Sequence, residues 1–168
     1  MMTIVYTSNT GTTKQYAEIL SEKTGLLVYS FEQAKNKLPK DSEIIYLGWL
    51  MASKVQGYEK ASKLYKIKAV CAVCMGSTGS QIKKIREKNS IPETIPVFSM
   101  QGGFDINQLH GLYKMMMKVM VKTVGKQLKE KVDRTKEEED MIEMMEHGAN
   151  HVSIENMKDL LEWYKGID

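Results

Sequence analysis

Cysteine is scarce in this chain of 168 residues: there are two, Cys71 and Cys74, and no second pair that would complete a four-ligand metal site. Both fall in the apolar run Ala69–Cys74, which reads as a strand, and residues three apart on a strand face opposite sides. The C-x-x-C spacing therefore points to two small core side chains rather than a redox or zinc motif. Histidine offers no metal site either. His110 stands alone, and Gly148 breaks any helix shared by His147 and His151. No apolar run approaches the ~20 residues that span a bilayer. The N-terminus enters a strand directly, without a basic region, apolar segment and cleavage site, so the expected location is cytoplasmic. A net charge of +3 is too small to imply nucleic acid as a partner. Two phosphate-binding signatures are missing as well. The first loop has no Gly-Lys-Ser/Thr, and it lacks the three spaced glycines of the dinucleotide fingerprint.

What stands there instead organises the rest. Ile4–Leu20 opens with the apolar strand Ile4-Val5-Tyr6. It passes through Thr7-Ser8-Asn9-Thr10-Gly11-Thr12-Thr13 and closes in a helical pattern with Tyr16, Ile19 and Leu20 on one side. A strand–loop–helix of this kind gathers backbone N–H groups and the positive end of a helix dipole at one point, which suits a phosphate. The hydroxyls of Ser8, Thr10, Thr12 and Thr13 add donors. No Lys or Arg lies inside the loop; Lys14 follows it. Neutral donors alone suit a phosphate monoester that is held, not a triphosphate that is cleaved.

The two apolar residues, Tyr6, Ser8, Gly11, Thr13, Ala17 and Leu20 resemble the N-terminal FMN-binding signature of the flavodoxins at every constrained position, over about a tenth of the chain. The resemblance implies FMN as cofactor, with Ser8, Asn9, Thr10, Gly11, Thr12 and Thr13 around its phosphate. Many flavodoxins are strongly acidic; this chain is not.

The remaining pattern alternates strands and helices. Gly25 ends the first helix, and Leu26–Tyr29 is a second strand. Ser30 and Gln33 form a capping box for a short helix before Pro39. Glu43–Leu50 is a buried strand, Tyr58–Tyr65 a helix, Ala69–Cys74 a strand, Ser80–Lys88 a helix with Ile82 and Ile85 inward, and Pro96–Met100 the last strand. Such alternation predicts one α/β domain over residues 1–168: a three-layer, doubly wound, five-stranded parallel sheet in the flavodoxin-like order 2-1-3-4-5. Ligands of such sheets lie beyond the carboxyl ends of the strands, which selects three more loops: 49–57, 75–80 and 101–105. By the resemblance, Trp49, Met51, Ala52, Ser53 and Lys54 would take one face of the flavin ring, and Met75, Gly76 and Ser77 the other side or edge. Gln101, Gly102 and Gly103 complete the expected cofactor set. No residue is expected to act as acid, base or nucleophile, and no metal is expected.

After the fifth strand comes a helical insertion, about 107–147. Asn107–Lys131 carries an apolar stripe of Leu109, Leu112, Tyr113, Met116, Met120, Val124 and Leu128, and a basic stripe of Lys114, Lys118, Lys122 and Lys126. Thr135 and Glu138 cap a second, acidic helix that Gly148 ends. Ser153 starts a final helix with Met157, Leu160, Leu161 and Tyr164 inward. The insertion has two readings. Its methionines and lysines suit an anionic membrane surface or an acidic partner; or its lysines face Glu137–Asp140, Glu143 and Glu146 across a hairpin. The second is preferred, because a charge run is usually a solvated face. A flavodoxin core with such an insertion also looks like the menaquinone-dependent protoporphyrinogen dehydrogenases, a membrane-associated branch of the superfamily.

The expected function is electron transfer through non-covalently bound FMN to a redox partner protein or a small-molecule acceptor. The rivals are an oxidoreductase of the protoporphyrinogen dehydrogenase or quinone reductase type, and a binding module without flavin.

Overall fold

The computed structural model describes residues 1–104 and 111–167. Asp105, Asn107, Leu109 and His110, which carry part of the third loop and the start of the insertion, lie outside the described residues, as do Asp168 and the side chain of Tyr113.

Strands β1 (Thr3–Thr7), β2 (Val28–Ser30), β3 (Glu43–Met51), β5 (Lys66–Cys74) and β6 (Val97–Gln101) form a parallel sheet in the order β2-β1-β3-β5-β6. The two-residue strand β4 (Lys54–Val55) pairs antiparallel with the end of β3. Strand alternation divides the core in two. Val5, Ile44, Tyr46, Val70 and Ala72 face α2 (Phe31–Lys37), α3 (Tyr58–Ser62) and α4 (Ile82–Asn89). Ile4, Ile45, Leu47, Ala69, Cys71 and Val73 face α1 (Thr12–Thr24) and α7 (Lys158–Lys165). Helices on both faces explain why the central strands are nearly continuous apolar runs. The two cysteines are buried and unpaired, and burial pushes both thiols up from their ordinary value.

Local signals place most of the helix ends. The Ser30–Gln33 and Thr135–Glu138 capping boxes are both formed, opening α2 and α6 (Lys136–His147). Gly25 closes α1 in the left-handed conformation, and Gly148 closes α6. The expected helix 58–65 stops at Ser62, and Leu64 and Tyr65 turn inward ahead of β5.

The insertion is gathered at its base by a short antiparallel ribbon, β7 (Gly103–Phe104) with β8 (Ala149–Asn150). The His151 N–H donates to Gly102 O at 2.9 Å, continuing the pairing toward β6. Gly103 is needed there: a Cβ would come within 2.1 Å of Ala149 O. Beyond the ribbon, α5 (Gly111–Glu130) packs on α6 through Met117, Val121 and Met144, with Met75 of the loop after β5 against them. A 3-10 turn (Glu155–Met157) then leads into α7, with Met157 and Leu160 fully buried.

The apolar stripe of α5 is not the side that packs on α6. Leu112, Met116 and Met120 are exposed, at 69%, 49% and 37%. A spacing of four drifts about 40° per step around a helix of 3.6 residues per turn. The stripe therefore winds away from any one neighbour, and Met117 and Val121 take the inward places. The expected face-to-face charge pairing is also partial. Lys129 pairs with Glu146 and Lys131 with Glu138, whereas Lys114, Lys118, Lys122 and Lys126 make no ion pair among the described residues.

Two glycine substitutions separate close approach from intrinsic helix propensity. Gly103→Ala is expected to lower stability by about 1–3 kcal/mol by forcing the ribbon apart. Gly125→Ala, whose Cβ would meet nothing within 4 Å, is expected to raise it by up to about 1 kcal/mol. Urea denaturation midpoints of the two variants measure both effects.

Candidate functional site

The site begins where β1 ends. Gly11, at φ 95°, precedes the first residue of α1, Thr12. The Ser8 hydroxyl oxygen accepts the N–H groups of Gly11 at 3.2 Å and Lys14 at 3.3 Å. The N–H groups of Asn9, Thr10, Thr12 and Thr13 have no hydrogen-bond partner among the described residues. The Thr13 hydroxyl is fully buried and likewise unpartnered. Buried polar groups in folded proteins are nearly always satisfied, so an orphaned hydroxyl beside free helix-terminal amides marks a place for an acceptor.

A cleft of about 880 Å³ opens next to this loop, lined by Ser8 and Asn9 and, from β3 and β4, by Trp49 and Lys54. Tyr6, Ser30 and Phe31 contribute from the β1–β2 side, and Lys60 and Lys88 add two more cations. One buried hydroxyl ties the cleft's inner wall together. The Tyr46 O–H donates to Gln56 O at 2.8 Å, leaving its oxygen to accept from the Thr7 hydroxyl at 2.7 Å. Gly57, at φ 81°, packs over both; a Cβ would lie 2.1 Å from the Tyr46 oxygen.

The expected loop 49–57 is corrected to a hairpin. Ala52 and Ser53, at φ 49° and 64°, make the two-residue turn between β3 and β4 without a glycine or asparagine. Asn89 of α4 holds the tip: its amide donates to Ser53 O at 2.8 Å and its carbonyl accepts the Val55 N–H at 2.9 Å. Trp49 and Lys54 therefore reach the cleft from a pinned element. Met51, Ala52 and Ser53 do not line it.

Met75, Gly76, Ser77, Gln101, Gly102 and Gly103 form a second group, outside the cleft lining. The Gln101 side chain donates to Met75 O at 3.4 Å, the Gln101 N–H to the Thr78 hydroxyl at 3.0 Å, and the Gly102 N–H to Cys74 O at 2.7 Å. The Ser77 hydroxyl donates to Glu137 of α6 at 3.3 Å, so the helical hairpin closes over this end of the sheet. Gly102 sits against Thr12: a Cβ there would come within 3.2 Å of the Thr12 hydroxyl and 2.5 Å of Val73. The β1–α1 loop is thus shared. Ser8 and Asn9 belong to the cleft, and Thr12 belongs to the β5–β6 side.

Two contributors escape a reading of the sequence. Tyr46 sits within an aliphatic strand, and its only signal is a phenol among Ile44, Ile45 and Leu47. Asn89 gives no signal, since an exposed-looking helix end rarely reveals which distant turn it holds. Among the described residues no cluster of three or more His, Cys, Asp or Glu is placed to hold a metal, and no helix is long and apolar enough to cross a membrane. Compared with protein-family models, curated proteins and solved structures, the chain finds no match.

The buried phenols make a pH prediction. Burial pushes Tyr46 well above the ordinary value of 10.0, against the opposing hydrogen bond from Thr7. Burial also raises Tyr16, against its hydrogen bond with Asn156. In the unfolded chain both ionise near pH 10. The folded state then holds protons that the unfolded state has released, so the contribution of these two phenols to stability is level below about pH 10 and falls above it. Denaturation midpoints across that range should show the fall, and Tyr46→Phe should make it shallower.

Proposed function

We propose that this protein is a flavodoxin-like redox protein that carries electrons through non-covalently bound FMN. The carrying observation is the donor set at the start of α1: free N–H groups on Asn9, Thr10, Thr12 and Thr13 beside the orphaned, buried Thr13 hydroxyl. A phosphate monoester supplies the missing acceptors, and the helix dipole favours its charge. No acidic side chain stands in the loop to oppose it. The residues present fit the group. The order β2-β1-β3-β5-β6 supports the reading, because its carboxyl edge reverses at β1 and β3, next to this loop.

In this reading Ser8 to Thr13 hold the phosphate. Trp49 offers an apolar surface and Lys54 a cation in the adjoining cleft. FMN supplies one- and two-electron transfer when bound. The chain's own work is to bind it, orient it and shield it. The pinned β3–β4 hairpin fixes the position of Trp49 and Lys54. Gly102, packed on Thr12, fixes the helix start. The Met75–Ser77 and Gln101–Gly103 segments serve here as supports for that position. A second reading, an oxidoreductase whose small-molecule acceptor docks beside the flavin, is favoured by the size of the cleft, near the upper end of the ~300–1,000 Å³ typical of ligand sites.

The test is an absorption spectrum of the purified protein, followed by titration of the apoprotein with FMN. The expected results are the two near-ultraviolet and blue bands of oxidised flavin and saturable binding. Thr13→Val should weaken binding by about 1.5–3 kcal/mol, since it removes a donor to a charged acceptor. The same change should leave the apoprotein as stable or more so, because it deletes a buried unpaired hydroxyl. A colourless protein that also fails to bind added FMN overturns the reading.

A further inference from the structure

A second groove, of about 480 Å³, runs between α5 and α6. Its floor is apolar: Val121 and Gly125 come from α5, Ile142 and Met145 from α6. Val121 and Ile142 are half-buried, so the floor stands partly open to water. Gly125 is the odd member. Glycine weakens a helix interior relative to alanine, and its use there is to let something come close. Nothing among the described residues does so: a Cβ on Gly125 would meet no atom within 4 Å. The missing side chain keeps the groove open and serves no internal contact.

Charge narrows the occupant. Lys122, Lys126 and Lys129 line the α5 bank. Lys129 pairs with Glu146 of α6, whereas Lys122 and Lys126 make no ion pair among the described residues. Residues 111–129 contain no Asp or Glu, so α5 offers these two no counter-charge of its own beside them. Glu130 also lines the groove, about 12 Å along the helix from Lys122. Lysine stems extend the apolar wall while their ammonium groups stand at the rim. We propose that the groove between α5 and α6 binds a single-chain carboxylate of medium length, its acyl tail on the floor beside Gly125 and its carboxylate at the ammonium groups of Lys122 and Lys126.

Size favours a small amphiphile over other occupants. The volume lies within the ~300–1,000 Å³ of small-molecule sites. The lining on α5 runs from residue 121 to residue 130, about 14 Å of helix. That track is too short for the ~1,000 Å² of buried surface that a specific protein contact needs. A flat bilayer rests on the two helices that bank the groove and leaves the floor uncovered. A neutral apolar molecule leaves the two free ammonium groups without a counter-charge, and a small anion leaves the floor wet. A molecule with an apolar tail and an anionic head answers both. The inference uses no residue of the proposed flavin site and stands apart from that reading.

The test is calorimetric titration of the full chain with dodecanoate held below its micellar concentration. Saturable binding of one molecule per chain is expected. Dodecanol, with the same tail and no charge, should bind about tenfold more weakly or worse, as should dodecyltrimethylammonium, with the opposite charge. Acetate, a head without a tail, should give no measurable binding. Gly125→Phe fills the groove from a position where a side chain meets no other atom, and should lower dodecanoate affinity by about tenfold or more. Lys122→Gln with Lys126→Gln should lower it by about as much through the head, and leave the binding of dodecanol unchanged. Unchanged circular dichroism shows that folding is retained. Lys63→Gln with Lys83→Gln, on other helices, should bind as the parent does. The proposal is overturned if dodecanoate shows no saturable binding, if the alcohol or the cation binds as tightly, if a folded groove variant binds as the parent does, or if FMN displaces the dodecanoate and so places it in the other cleft.

Discussion

The Tyr16 hydroxyl is the interaction on which the placement of the rest depends. It lies in the core on α1 and donates to Gln101 O, the last carbonyl of β6. Asn156 donates to the same hydroxyl at 2.8 Å and to His151 O at 2.8 Å. Three distant segments therefore meet at one buried group: the helix behind the β1–α1 loop, the end of the sheet where the insertion leaves, and the chain where it returns. A buried phenol left unpartnered costs about 1–3 kcal/mol, so the three positions are coupled. The β7–β8 ribbon acts in the same direction from the other side. Together they hold the two ends of the insertion at the edge that positions Thr12 and Gly102.

Much of this order is legible in the amino acids. The central strands are runs of Ile, Val, Leu, Ala and Cys because both faces of the sheet are covered, and a continuous apolar run is the sign of that. Ser30–Gln33 and Thr135–Glu138 are local signals for local structure, and each helix starts where they say. The Ser8–Thr13 loop is legible for the same reason: its chemistry depends on neighbours in the chain. What escaped depends on distant partners. The β3–β4 turn uses Ala52 and Ser53 at positive φ, against their intrinsic preference, and Asn89 from α4 supplies the compensating bonds. No pattern near residue 52 announces residue 89. The apolar stripe of α5, at spacings of three and four, does not mark the side that packs on α6, because steps of four drift around the helix. Met117 and Val121, off that stripe, face α6, while Leu112 and Met116 do not.

The candidate site also divides in a way that a list of loops does not convey. Rules for doubly wound sheets select all loops beyond the carboxyl edge, but side-chain hydrogen bonds sort them. Gln101 donates to Thr78 and Met75, Gly102 donates to Cys74 O, and Ser77 is drawn to Glu137 of the hairpin. That flank is occupied by the protein's own polar groups. On the other flank, Asn9, Trp49 and Lys54 face open space beside Tyr6 and Gln56. Unsatisfied donors at the start of α1 lie between the two.

This asymmetry bears on which surface remains accessible in the redox reading. A partner or acceptor approaching from the β5–β6 side meets α6, whose Glu137, Glu139, Asp140 and Glu143 are exposed. From the cleft side it meets Lys54, Lys60 and Lys88 together with Glu32 and Glu59. Each approach mixes signs: acids stand among the lysines of the cleft, and the lysines of α5 stand beside the acids of α6. Long-range steering follows the local field and not the net charge. On the cleft side the lysines stand beside Trp49 and Asn9, with Glu32 and Glu59 among them. At the end of the sheet that the hairpin already covers, the exposed acids of α6 lie next to the lysines of α5, so the local field there follows the balance of the two helices rather than either alone.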